Sequence, residues 1–94
     1  MKTRDDTIIV TKNIEQIKWL NRQGIFGKVK ERVSPKEAAG KHIIGVVPYV
    51  VAVEARDVTV INCRPLGSIK SKDMSSEQLE AQNAELVTYR VIPA

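Results

Sequence analysis

Residues 7–24 have the sequence TIIVTKNIEQIKWLNRQG, which contains the signals of a strand, a turn and a helix in succession. Thr7 to Thr11 is a short β-branched run of the kind found in strands that are buried on both faces. Asn13 is a favourable N-cap, and Gly24 is a typical residue just beyond the end of a helix. Between them, apolar residues recur every three positions on one predicted helical face: Ile14, Ile17 and Leu20. The stretch therefore predicts the βα unit of an α/β fold.

The rest of the chain continues this alternation of strands and helices. Further strands are predicted at 28–33, 42–47, 58–63 and 86–92, and helical segments at 35–39, 49–55 and about 75–83. One alternative stays open, because the β-branched residues from Ile43 to Val53 could form a single long strand broken at Pro48. The order of elements predicts one domain over residues 1–94, a small three-layer, Rossmann-like α/β domain with a mostly parallel central sheet.

The charge of the chain is uneven along its length. There are 15 Lys and Arg against 11 Asp and Glu, and residues 1–47 carry ten basic and five acidic side chains. This asymmetry indicates an anionic partner.

A chain of 94 residues buries a modest share of its surface, so we expect pairing with a second copy to stabilise it and predict a homodimer.

Single residues indicate the compartment and some structural roles. Cys63 is the only cysteine and cannot form an internal disulfide or a zinc site alone, which indicates a reducing compartment. The polar start of the chain and the lack of a long apolar run predict a cytoplasmic protein with no signal peptide and no membrane span. We interpret His42 and Cys63 as structural residues of buried strands. Trp19 lies off the apolar stripe of the first helix, so it is expected either to cover the edge of the core or to form part of a subunit contact.

Ligands of open parallel sheets bind beyond the carboxyl ends of the strands. The predicted residues at those ends offer cations, hydroxyls, amides and turns: Thr11, Lys12, Asn13, Gly45, Pro48, Tyr49, Asn62, Arg64, Lys70 and Lys72. Cations and helix N-termini at one rim favour phosphate binding. Established catalytic motifs and metal-ligand spacings are missing from the sequence, so we predict neither a metal nor a cofactor. On a phosphodiester, these groups could support attack of a ribose 2′-hydroxyl on its neighbouring phosphate.

Several short motifs occur in a distinctive order. They are Ile9-Val10-Thr11-Lys12, then Trp19 with Gln23-Gly24-Ile25, then Ile44-Gly45-Val46-Val47-Pro48, and finally Glu85 to Val91. In this order and spacing the chain resembles the CARF-related ring nucleases of type III CRISPR systems, in particular the short Csx-class family of about this length. The resemblance runs from about Thr7 to Val91. The family tends to have Thr-Arg-His after the first strand, where this chain has Thr11-Lys12-Asn13.

The resemblance implies a function in antiviral defence. Proteins of this family bind cyclic tetra-adenylate, the second messenger of type III CRISPR immunity, and cleave it, which switches off signalling. For this chain, whose sequence lacks a metal-ligand spacing, we expect cleavage without a metal. A ring with four phosphates suits a two-fold dimer, because each subunit can present the same groups to half of the ring. The implied residues are Thr11, Lys12 and Asn13 for ring contact and transition-state charge, Arg64, Lys70 and Lys72 as phosphate clamps, and Tyr49 against adenine.

Three other functions stay open at this point. The first is a protein that binds the cyclic oligoadenylate without cleaving it, as a sponge or a sensor. The second is a module that binds RNA through the basic region from Lys28 to Lys41. The third is a purely structural partner protein.

Overall fold

The computed structural model describes residues 6–63 and 73–93. Its elements in chain order are β1 (Thr7–Val10), α1 (Ile14–Arg22), β2 (Lys28–Lys30), α2 (Pro35–Ala38), β3 (His42–Ile44), α3 (Tyr49–Ala52), β4 (Asp57–Asn62), α4 (Ser76–Ala81) and β5 (Glu85–Tyr89). This is the predicted alternation, with most elements shorter than the sequence pattern indicated. Within these ranges no helix is long and apolar enough to cross a membrane.

The alternative of one long strand from Ile43 to Val53 is wrong. β3 ends at Ile44, and Pro48 is the N-cap of the short helix α3. Proline has no N–H to donate to a strand ladder, but it is well suited to the start of a helix. The β-branched residues that follow Pro48 therefore enter a helix in spite of their preference for strands.

The five strands form one sheet in the order β2-β1-β3-β4-β5. β1, β2, β3 and β4 run parallel and β5 is antiparallel to β4, which confirms the mostly parallel sheet. From β1 the chain first reaches β2 on one side and afterwards β3 on the other. The carboxyl ends of β1 and β3 therefore border the switch point of the topology, which is where open α/β sheets bind ligands.

Each face of the sheet has its own core, because successive strand residues point to opposite sides. One cluster, against α2 and α3, contains Ile8, Ala38, Ile43, Val51, Ala52, Ala55 and Val58. The other, against α1 and α4, contains Ile9, Trp19, Leu20, Ile44, Met74 and Leu79. Helices thus cover both faces, and the layers are helix, sheet and helix.

The buried face of α1 differs in part from the predicted stripe. Trp19 is 3% exposed and lies within the second core, so it is buried more deeply than the predicted place at the edge of the core. Ile14 is 64% exposed, so its prediction as an inward residue is wrong. Ile14 opens the first turn of the helix directly beyond the end of β1, at the rim of the sheet, whereas Leu20 lies further along the helix and packs in the core.

Candidate functional site at the carboxyl edge of the sheet

A cleft with a volume of about 700 Å³ lies at the switch point between β1 and β3. Its lining includes four of the predicted site residues: Thr11, Lys12, Asn13 and Gly45. The first three form the turn between β1 and α1, and Gly45 directly follows β3. The structure therefore brings together residues that are more than 30 positions apart in the chain.

The close approach of β1 and β3 at this cleft depends on Gly45. Its φ angle is +135°, a conformation that residues with a side chain rarely adopt. A Cβ atom at this position would lie 2.3 Å from the carbonyl oxygen of Val10. The N–H of Gly45 donates to the carbonyl oxygen of Thr59 at 2.8 Å, which anchors the end of β3 to β4. Gly45 therefore shapes the cleft through its backbone.

Hydrogen bonds of Thr11 and Asn13 fix the turn between β1 and α1. The hydroxyl of Thr11 accepts from the backbone N–H of Asn13 at 3.0 Å and donates to Oε1 of Gln16 at 2.8 Å. Oδ1 of Asn13 accepts from the N–H of Glu15 at 2.9 Å, which confirms Asn13 as the N-cap of α1. Nδ2 of Asn13 donates to the carbonyl oxygen of Met74 at 3.1 Å. Two of the three predicted catalytic residues, Thr11 and Asn13, therefore position the loop that carries the third, Lys12.

A second contact joins the N-termini of α1 and α4 at the same rim. Oε1 of Glu15 accepts from the N–H of Ser76 at 3.0 Å and from the hydroxyl of Ser76 at 3.2 Å. The bond from the Ser76 N–H, followed by the one from the Lys18 ammonium, lowers the pKa of Glu15 below its usual value. The carboxylate of Glu15 therefore occupies the N-terminus of α4, where a negative charge is favourable.

The described lining of the cleft carries charges of both signs. Lys12 is exposed, and its side chain forms no hydrogen bond or ion pair with any residue in ranges 6–63 and 73–93. Glu31 and Asp73 also line the cleft and contribute carboxylates. Lys12 is thus available to an anionic ligand, and the two acidic residues oppose such a ligand unless further cations approach it.

Other predicted site residues lie away from this cleft or outside the described ranges. Pro48, Tyr49 and Asn62 are exposed and do not contribute to the lining, and Tyr49 has 61% of its surface open to solvent. Arg64, Lys70 and Lys72 lie outside the described residues. The predicted ligand contacts of these six residues stay predictions.

Three polar residues of the lining were not among the predicted site residues: Gln16, Glu31 and Asp73. Gln16 could have been found, since it lies three residues after the N-cap Asn13 on the same side of the helix. Glu31 directly follows β2, whose carboxyl end lies beside that of β1.

The described residues contain no group of three or more His, Cys, Asp and Glu side chains that could hold a metal ion. Cys63 is half-buried, and its Sγ lies 3.7 Å from the sulfur of Met74 beside the second core.

No protein family, curated protein or solved structure matches this chain.

Proposed function

We propose that the protein is a metal-independent ring nuclease that binds cyclic tetra-adenylate at the carboxyl-edge cleft and cleaves it to linear products. The observation that carries the proposal is the meeting of the Thr11-Lys12-Asn13 turn with Gly45 at the β1/β3 switch point. Thr11, Lys12 and Gly45 belong to two of the motifs by which the chain resembles CARF-related ring nucleases, and Asn13 stands where that family tends to have His. A cleft of about 700 Å³ falls within the range of pockets that hold small ligands, so it would admit one part of the ring.

The proposed reaction needs no group other than those of the ring and the protein. The 2′-hydroxyl oxygen of one adenosine attacks the phosphorus that joins it to the next nucleotide, and the bond from phosphorus to the 5′-oxygen breaks. The 2′-hydroxyl loses its proton and the departing 5′-oxygen gains one. The products carry a 2′,3′-cyclic phosphate at one end and a 5′-hydroxyl at the other, and no water is consumed.

The role of the protein is to align this attack and to stabilise the developing negative charge. The exposed ammonium of Lys12 supplies positive charge beside the phosphate. Thr11 and Asn13 act on Lys12 through the hydrogen bonds that hold the turn. Because Lys12 provides a point charge and lacks the planar fork of arginine, the phosphate is held by charge more than by paired hydrogen bonds.

A polyanionic ring requires more positive charge than the described lining contains. Glu31 and Asp73 repel phosphate, and Lys12 is the cation among the described lining residues. We propose that Arg64, Lys70 and Lys72 supply the remaining charge.

Glu31→Gln tests the repulsion between the acidic lining and the ring. It should tighten binding of the ring, and the gain in affinity should shrink as salt screens the charges. Glu54→Gln changes an exposed carboxylate outside the lining and is the matched control.

Exposed apolar residues that follow β1 and β3 in the chain support a homodimer. Four large apolar side chains there are open to solvent: Ile14 (64%), Val46 (85%), Tyr49 (61%) and Val50 (58%). A second copy that covers them would place two clefts about one axis and present the same groups to both halves of a four-fold ring. Val46→Glu should then yield a monomer by sedimentation or light scattering.

A non-cleaving binder of the messenger is the second candidate. It is favoured by the engagement of Thr11 and Asn13 in the turn, because neither side chain is then a ready proton acceptor for the 2′-hydroxyl. The RNA-binding alternative has less support. Lys30, near the start of the basic region, forms an ion pair with Glu37.

The deciding experiment is incubation of purified protein with cyclic tetra-adenylate, and separately with cyclic hexa-adenylate, in excess EDTA. Chromatography and mass spectrometry then identify the products. We expect linear oligoadenylates that end in a 2′,3′-cyclic phosphate, formed about 100-fold more slowly by Lys12→Ala. Lys36→Ala, at an exposed lysine outside the cleft, should cleave at the wild-type rate.

Each other outcome has a definite meaning. An intact ring bound in stoichiometric amount would show that the protein binds the messenger without cleaving it. Neither cleavage nor binding would overturn both forms of the proposal. Cleavage that persists unchanged in Lys12→Ala would place the chemistry elsewhere in the chain.

A further inference from the structure

A second cavity lies at the opposite, amino edge of the sheet. It has a volume of about 450 Å³. Thr7, His42 and Asp57 are the first residues of β1, β3 and β4, and all three line it. β5 runs in the opposite direction to β4, so Thr88, near the end of β5, reaches the same edge. Three parallel strand starts and one antiparallel strand end thus place four polar side chains in one cavity. Thr59, the third residue of β4, is the fifth polar residue of the lining.

Four of these side chains form a hydrogen-bonded chain. Nδ1 of His42 pairs with Oδ1 of Asp57. Nε2 of His42 lies 3.3 Å from the hydroxyl of Thr59, which in turn lies 2.7 Å from the hydroxyl of Thr88. His42 and Thr59 are buried, whereas Thr88 is exposed. The chain therefore leads from a buried imidazole to a hydroxyl that solvent or a ligand can reach.

The direction of this chain depends on the imidazole. When Nδ1–H donates to Asp57, the neutral ring has an acceptor at Nε2, and each hydroxyl can donate toward it. Thr88 then offers the ligand an acceptor oxygen. With a proton on Nε2 as well, Nε2–H donates to the hydroxyl of Thr59, and the hydroxyls of Thr59 and Thr88 both reverse. The hydroxyl of Thr88 then donates to the ligand. One hydroxyl can thus accommodate either a donor or an acceptor on a ligand.

The remaining walls of the cavity are apolar. They come from Ile44, Leu86 and the loop that follows α1, which contributes Ile25 and Phe26. Phe26 is 46% exposed, so it lies where the cavity opens to solvent. The loop lies close to β1, since a Cβ atom on Gly27 would be 2.8 Å from the carbonyl oxygen of Thr7. The apolar walls therefore lie next to the polar side chains of the strands.

We infer that this cavity is a second ligand site, for an uncharged planar heterocycle of the nucleobase class. Its size lies within the range of small-molecule pockets, and it combines apolar walls with a few convergent polar groups, as such pockets do. The described lining contains Asp57 and no lysine or arginine, which disfavours phosphate and separates this site from the carboxyl-edge cleft. The ring would pack against Phe26 and Leu86, and its polar edge would meet Thr88. This site does not rest on the proposed nuclease function.

The test is a titration of isotope-labelled protein with adenine and with adenosine, followed by NMR, with inorganic phosphate as the anionic probe. We expect adenine or adenosine to shift the signals of Phe26, Thr88 and the His42 imidazole, and phosphate to leave them in place. Thr88→Val removes the hydroxyl with little change in shape and should weaken binding about tenfold, close to 1.4 kcal/mol. Thr88→Ser keeps a hydroxyl and should bind as the wild type does.

The unfolding midpoint of each variant shows whether it is folded, and Phe26→Ala, at an exposed position, provides an independent loss of binding. Shifts confined to the Lys12 turn would assign the heterocycle to the other edge and overturn the inference. Absence of any shift at millimolar ligand, or equal binding by Thr88→Val and the wild type, would overturn it as well.

Discussion

Gly45→Ala tests how the carboxyl-edge cleft is built. Alanine would have to adopt a φ angle near +135°, which costs about 1–3 kcal/mol for a residue with a side chain. Its Cβ would lie 2.3 Å from the Val10 carbonyl oxygen, so the two strand ends would have to separate by about 0.7 Å or more to reach an acceptable contact. That movement would also strain the bond from the Gly45 N–H to Thr59, worth about 1 kcal/mol. We expect the free energy of unfolding to fall by about 3 kcal/mol, a large share of a small domain's stability.

Gly40→Ala is the matched control for this substitution. Gly40 also has a positive φ, of +71°, but no heavy atom lies within 4 Å of the position its Cβ would take. Its replacement should cost only the left-handed backbone term, about 1 kcal/mol. The difference between the two variants, about 2 kcal/mol, isolates the close approach of β1 and β3.

Urea unfolding followed by far-ultraviolet circular dichroism measures both variants. Equal losses, within about 0.5 kcal/mol, would refute the argument, because the contact with Val10 would then have no energetic consequence. At temperatures where Gly45→Ala is folded, it should also bind cyclic tetra-adenylate more weakly than Gly40→Ala does. Gly45 lines the cleft, whereas Gly40 does not.

Three further substitutions test the contacts around the site and the core. Asn13→Ala removes the N-cap and the bond to Met74, so the free energy of unfolding in urea should fall by about 1–2 kcal/mol. Asn13→Asp keeps the capping oxygen and should lose less stability. Equal losses in the two variants would argue against the cap. Leu79→Ala removes a side chain that is 0% exposed and should cost about 3 kcal/mol in the same assay, and a loss below about 1 kcal/mol would show that α4 is not packed as described. The hydrogen bond from Lys30 lowers the pKa of Glu37 from 4.5 to about 2, so its contribution to stability is present above pH 4.5 and is lost as the pH falls toward 2. The gap in thermal midpoint between wild type and Glu37→Gln should close over that pH range, and a gap independent of pH would contradict the ion pair.

The elements of the fold could be predicted because their signals are local. A β-branched run, the cap at Asn13 and a terminal glycine specify β1 and α1 within 18 residues. The buried face of α1 was harder to predict. Spacing alone predicts that Ile14 faces the core, whereas the packing of the sheet buries Trp19 and leaves Ile14 at the rim.

The candidate site was predictable only in part. The general rule for parallel sheets placed Thr11, Lys12, Asn13 and Gly45 at one edge, and the structure brings these four together. Tyr49 and Asn62 follow the same rule in the sequence but are absent from the cleft lining. Helix α3 turns Tyr49 toward solvent, and the end of β4 lies one strand further from the switch point.

The sequence by itself determined where strands, turns and helices form and which polar groups follow the strands, because backbone preferences and capping act over a few residues. Only the tertiary structure decided which of those groups meet. The register of β3 against β4 sets His42 beside Asp57, and the antiparallel direction of β5 brings Thr88 to Thr59. Contacts of this kind join residues as far apart as Asn13 and Met74, 61 positions along the chain. They follow from packing the two cores against one sheet, and a local pattern has no means of encoding them.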